Sequence, residues 1–195
     1  MLYLNQRDYP NIPYRTNTDD PTDEYGRNTT VSSSACGLCA AIMVADRLRI
    51  GHGFDLSEAL KLSYETGANH RRGTHYQIFA PAFAEKLRLK LEASSDPERL
   101  RHCLRTGGAA VLHCCGDYEG YTAVFSHKGH FITAISETED GRICVLDPSQ
   151  TEGKYDEPGR RGKVEVDGHI CMTTMDVVME ETENRVNRFY LFWRK

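Results

Sequence analysis

The sequence predicts an α+β fold with helices first and sheet afterwards, and three observations carry that prediction. Helical spacing governs the apolar residues from Cys36 to about Arg49 and again from Leu56 to Leu62. Period-two alternation, or short apolar runs bounded by Gly, Pro and Asp, governs most of the chain after Leu87. At 195 residues the chain can bury one sizeable core, so a single domain over residues 1–195 is expected.

Taken in order, Leu2 and Leu4 alternate with polar neighbours as a short strand. Residues 7–30 are rich in Asn, Asp, Thr and Pro without periodicity and read as a long loop, acidic from Asp19 to Glu24. The run Ser32-Ser33-Ser34 offers an N-cap to a helix that begins at Cys36 and is ended by Gly51 and Gly53. Asp55 to Glu58 resembles a cap with an acidic first turn for a second helix, and a third starts near Thr74 with Pro81 inside it. Leu87, Leu89 and Leu91 alternate with charged residues as a half-buried strand. Asp96-Pro97-Glu98 opens a short helix that Gly107-Gly108 closes, and Ala109 to His113 follows as a buried strand. Strands are then expected at Phe131 to Ser136, Ile143 to Leu146 and Arg188 to Trp193. The stretch from Gln150 to Gly168 reads as a polar connection, with a helix near Met175 to Glu183.

The charge balance excludes several partners. With 24 Lys and Arg against 28 Asp and Glu, the chain carries no electrostatic footprint for nucleic acid or an anionic membrane. No apolar run approaches the roughly 18 residues of a membrane span, and Met-Leu-Tyr-Leu followed by Asn-Gln-Arg-Asp lacks the form of a signal peptide. A cytoplasmic protein is expected; an extracellular one would need a signal preceding this sequence. Seven cysteines, two of them adjacent, do not read as a secreted disulfide framework and favour reduced thiols. The oligomeric state is not legible.

Cys36 is the residue to explain. A helix N-terminus presents free N–H groups and the positive end of the macrodipole, which favour the thiolate over the thiol. Downstream, His130 opens one apolar run and Asp147 closes the next. If Glu137 pairs with Arg142 across a hairpin, Asp147 lies opposite Ile132, with His130 two residues away on the same face. That diagonal is about 7–8 Å between Cα atoms, a span the two side chains can close. An even loop keeps both on one face and an odd loop would break the arrangement. In this geometry Asp147 accepts the Nδ1 proton of His130, and His130 serves Cys36 as base and then acid. The Cys36 backbone N–H and the Gln6 side-chain amide are the candidate oxyanion donors, with Asn5 as the lesser neighbour.

At these residues the chain resembles a known family. Asn5 to Pro10, Ser33-Ser34-Ala35-Cys36-Gly37 with Met43 following, Gly129-His130-Phe131, and Asp140-Gly141 leading to Asp147-Pro148 are similar to stand-alone bacterial relatives of the bacteriocin-processing, double-glycine-leader peptidases, family thirty-nine of the cysteine peptidases. The ordered blocks run over nearly the whole chain. The resemblance implies a papain-like fold and a peptidase or amidase acting through a thioester acyl-enzyme. It assigns Cys36 as nucleophile, His130 as base, Asp147 as orienting residue and Gln6 to the oxyanion hole. Such chemistry acts on a peptide or amide substrate and requires no metal or organic cofactor. Relatives usually carry Gly-Cys-Gly-Pro where this chain has Ala35-Cys36-Gly37-Leu38.

Two other classes remain open at this point. Cys36-Gly37-Leu38-Cys39 is also a C-x-x-C at a helix start and would suit a thiol-disulfide redox protein, although no apolar strand precedes it. A catalytically silent peptide-binding module would keep the same residues with an ordinary thiol. His113-Cys114-Cys115 does not suit a metal, because adjacent strand residues point to opposite faces. Cys103, Cys114, Cys144 and Cys171 read as core, His127 as the rival base, and His52, His70, His75 and His169 as surface.

Overall fold

A computed structural model describes residues 1–15, 26, 28–50, 52–70 and 73–195. The serine run does not cap the cysteine helix; it forms a turn of its own. Val31–Ser34 is a short helix, α1, in which the Thr30 N–H donates to Ser33 Oγ at 3.0 Å. Ala35 follows at the cap position, and α2 runs Cys36–Arg47. Ala35 has no side-chain oxygen to offer, so the donors of the α2 first turn are not consumed by a cap. Arg49 takes a left-handed φ of 53° past the helix end; the expected stop at Gly51 and the acidic Asp19 to Glu24 stretch lie outside the described residues.

Asp55 caps α3 (Leu56–Glu65) by accepting the Glu58 N–H at 3.0 Å, as its sequence suggests. The third helix, α4 (Tyr76–Lys86), carries Pro81, and β1 is Leu89–Ser94. Next come α5 (Pro97–Arg105), β2 (Ala109–Cys114), β3 (His130–Glu137) and β4 (Ile143–Leu146). The polar stretch after Gln150 is not merely a connection, because β5 (Val164–Asp167) pairs with β6 (Ile170–Thr173) around Gly168. The alternation Val164, Val166 before Asp-Gly was the available signal. The chain closes with α6 (Met175–Glu181) and β7 (Phe189–Arg194).

The seven strands form one antiparallel sheet in the order β1-β7-β2-β3-β4-β6-β5. Its middle is buried on both faces. Ala109, Val111, Phe131 and Phe192 pack with α2, α3 and α4, while Ala110, Leu112, Ile132 and Leu191 pack with α5, α6 and the residues around Phe125 and Tyr155. The expected strand at Leu2 and Leu4 is absent. The Leu2 N–H goes to the Asp46 carboxylate at 2.7 Å and the Gln6 N–H to Pro148 O at 2.7 Å, so the segment is tied to a side chain and a turn rather than to a strand. Gln6–Asp8 is a 3₁₀ turn. Among the described residues no helix is long and apolar enough to cross a membrane.

The β3–β4 register decides where the functional side chains meet. Glu137 pairs with Ile143, not Arg142, which leaves residues 138–142 as an odd loop. By itself that slip would turn Asp147 away from His130. A bulge between Ala134 and Ser136 then restores the pairing, with Ala134 opposite Val145 and Thr133 opposite Leu146, so the next step sets Asp147 beside Ile132. The two irregularities cancel.

Candidate active site

Cys36 stands as the first residue of α2, whose start is pressed against β3. A Cβ on Gly37 would lie 3.0 Å from Thr74 Cβ and 3.2 Å from the rings of Phe131 and Tyr76, so glycine permits the close approach that brings the helix end to the sheet. Two further ties hold α2 along β3. Thr133 Oγ1 donates to Ala40 O at 3.0 Å, and Arg47 Nε donates to Ile135 O at 2.9 Å, at the residue of the bulge.

His130, the first residue of β3, is 4% exposed, and Asp147 is fully buried. The ring nitrogen that meets the carboxylate is Nε2, 2.8 Å from Asp147 Oδ1, not the expected Nδ1. The reason is positional. With Asp147 beside Ile132 on the neighbouring strand, the far edge of the ring reaches the carboxylate, which leaves Nδ1 free of Asp147.

The charges follow from these contacts. Burial alone would push the Cys36 thiol up, but the charge of His130, the hydrogen bond between them and the backbone N–H groups of Phe131 and Gly37 outweigh it, and the thiol lies below its ordinary value. Burial pulls His130 down, while Cys36 and Asp147 raise it further, to about 9. Asp147 is held well below the carboxylate range despite its burial, by His130 and by Lys154. A thiolate facing an imidazolium is the arrangement these shifts describe.

Asp147 has partners that sequence reasoning missed. Its Oδ1 also accepts the Ser149 N–H at 2.8 Å and Ser149 Oγ–H at 3.1 Å; its Oδ2 accepts Lys154 Nζ at 2.5 Å and the Tyr155 hydroxyl at 2.7 Å. Lys154 is 7% exposed and also donates to Ser149 Oγ at 2.8 Å. All three residues sit just past Asp147-Pro148, in a stretch whose polar composition gave no sign of burial. Only the Gly153-Lys154-Tyr155 order, a turn residue before a charged and an aromatic one, hints at a side chain folded inward.

Gln6 is brought to the same place. It is 7% exposed, its Nε2 donates to Ser32 O at 3.0 Å, and its Oε1 is buried with no hydrogen-bond partner among the described residues. An amide nitrogen carries two hydrogens, so one N–H remains for an incoming oxygen. Gln6, Cys36 and His130 together line a cavity of about 930 Å³. Asn5 is elsewhere engaged, donating from Nδ2 to Gln150 O at 2.8 Å. The rival His127 also borders this cavity but is exposed and occupied by Asp117 (2.7 Å) and Glu157 (3.2 Å).

Cys39 is fully buried on α2, and burial pushes its thiol far above the ordinary value. Cys103, Cys114, Cys144 and Cys171 are buried as expected, and all seven thiols are free. Neither a scan against family models nor a search among curated proteins returns a match to this chain.

Proposed function

We propose that the chain is a cysteine hydrolase that cuts peptide or amide bonds through a thioester acyl-enzyme, with a papain-like arrangement of nucleophile helix on antiparallel sheet. One observation carries the reading: a buried imidazole held to a carboxylate by Nε2 at 2.8 Å lines the same cavity as a cysteine whose thiol it lowers. The Cys36 thiolate attacks the substrate carbonyl carbon, and the oxygen takes up negative charge beside the Cys36 N–H and the free Gln6 N–H. His130 gives its Nδ1 proton to the leaving amine as the C–N bond breaks. Water then attacks the thioester, His130 takes the water proton at Nδ1, and the acid leaves as the C–S bond breaks and the thiolate returns. Asp147 keeps the Nε2 proton throughout and fixes the ring. The arrangement supports this reading over a dithiol redox pair, because Cys39 is sealed beneath the helix rather than exposed beside Cys36.

Iodoacetamide labelling of each cysteine, followed against pH by mass spectrometry, tests it. Cys36 should label fast well below the free-thiol pKa of about 8.5, slow sharply in His130→Ala, and keep its rate in Cys39→Ala. Labelling of Cys36 no faster than an ordinary thiol leaves a silent module, and loss of the fast phase in Cys39→Ala points to the redox pair.

A further inference from the structure

Cys36 borders a second cavity, of about 410 Å³, which Gln6 does not line. Its walls include His113, Phe131, Gly129 and Arg185. Arg185, in the turn between α6 and β7, is half-buried and held only by backbone carbonyls: Nε and Nη2 donate to Cys114 O at 3.3 and 2.9 Å, and Nη2 to Cys115 O at 3.2 Å. Its Nη1 has no hydrogen bond to a described residue, and no described carboxylate forms an ion pair with it. The guanidinium passes directly beneath the residue preceding the base, since a Cβ on Gly129 would lie 3.0 Å from Arg185 Nη2. Among the described lining residues there is no Asp or Glu. His113 adds no opposing charge: burial, with Arg185 and His75 nearby, lowers it to about 3, and its neutral ring stacks on Phe131 at 4.4 Å.

A half-buried guanidinium with both N–H groups of Nη1 unused, and with no counter-ion among the described residues, is matched by an anion that accepts a charge-assisted hydrogen bond from Nη1. From this we infer that the Arg185 cavity is a substrate subsite for a carboxylate, so that the hydrolase prefers acidic peptides over neutral ones. The inference rests on the hydrolase reading of Cys36. Two sources fit the same chemistry: an acidic side chain on the acyl portion of the substrate, or a terminal carboxylate.

The test uses the intact chain and acetyl-dipeptidyl chloromethyl ketones bearing Glu or Gln at either position, with Cys36 labelling rates read by mass spectrometry. Competition by tetra-alanine with a free or an amidated C-terminus provides the second arm. The Glu probe should outpace its Gln twin by about tenfold or more at one position if the acidic group is a side chain. If it is a terminus, free tetra-alanine should protect better than the amide by a similar factor. In Arg185→Gln the ratio should fall to about one, and in Arg185→Lys part of it should return. A ratio near one in the parent in both arms, or one unchanged in Arg185→Gln, overturns the subsite and leaves the hydrolase standing. Labelling of Cys36 by every probe at the rate of an ordinary thiol overturns both.

Discussion

Replacing Lys154 by Met should make the His130 proton harder to remove. Lys154 Nζ lies 2.8 Å from Ser149 Oγ, which lies 3.2 Å from His130 Nε2, so the ammonium and the imidazole nitrogen are at most about 6 Å apart. Two positive charges at about 6 Å, with an effective dielectric of about 20, repel by roughly 3 kcal/mol, or about two pH units. His130 stands at about 9 in the parent. Withdrawing a neighbouring cation favours the protonated ring, so the upper inflection should rise by up to about two pH units. The assay is the pH profile of Cys36 alkylation, whose plateau is bounded above by loss of the imidazolium proton; the thiol and ring titrate as a pair, and the inflection belongs to both. Breaking a buried ion pair from one side costs about 3–5 kcal/mol, which for a chain of this size is a fall of about 6–20 °C in melting temperature. The profile is therefore read well below the melt, with Lys154→Gln as a second variant that removes the charge but keeps a donor. An inflection that stays near 9, or moves down, in both folded variants would refute the electrostatic role assigned to Lys154.

Two further outcomes are expected. Gln6→Ala should slow acylation by acetylglycine p-nitrophenyl ester about 100- to 1,000-fold while iodoacetamide labelling, which develops no oxyanion, falls far less; equal losses in both would remove Gln6 from the oxyanion site. Gly37→Ala forces a methyl against Thr74, Phe131 and Tyr76 and should cost about 1–3 kcal/mol, a drop of about 2–12 °C by differential scanning calorimetry; an unchanged melt would show that the helix start can move away.

Much of the site was legible because chemistry and local structure coincided at single positions. Cys36 reads as a helix start from the apolar spacing that follows it, and His130 and Asp147 read as strand ends from the runs they bound. Their meeting on one face was anticipated by a register that is wrong at the hairpin tip and right at the site, because the bulge at Ile135 offsets the odd loop. Bulges leave no periodic trace in sequence, so that cancellation could not be read. Ser149, Lys154 and Tyr155 were missed for another reason: a buried lysine is rare unless paired, and its pairing to Asp147 is created by the fold. Arg185 and His113 face Cys36 from segments distant in sequence, and no local pattern links them. The Leu2–Leu4 strand failed because two alternating residues are too few to outweigh the hydrogen-bond partners that Asp46 and Pro148 supply.

The three ties between α2 and β3 make α2 a lever with its fulcrum at one end. Gly37, where the packing is tightest, is one residue from Cys36, while the Arg47 tie to Ile135 lies ten residues beyond Gly37. At about 1.5 Å per residue that long arm is about 15 Å, so a displacement of about 1 Å at the Arg47 end tilts the helix by only about 4° and moves Cys36, one Cα–Cα step of about 3.8 Å from Gly37, by about 0.3 Å. Catalytic geometry tolerates about 0.5 Å. Damage at the far end of the helix is thus geared down before it reaches the sulfur, and substitutions there can erode stability long before they misalign Cys36 with His130.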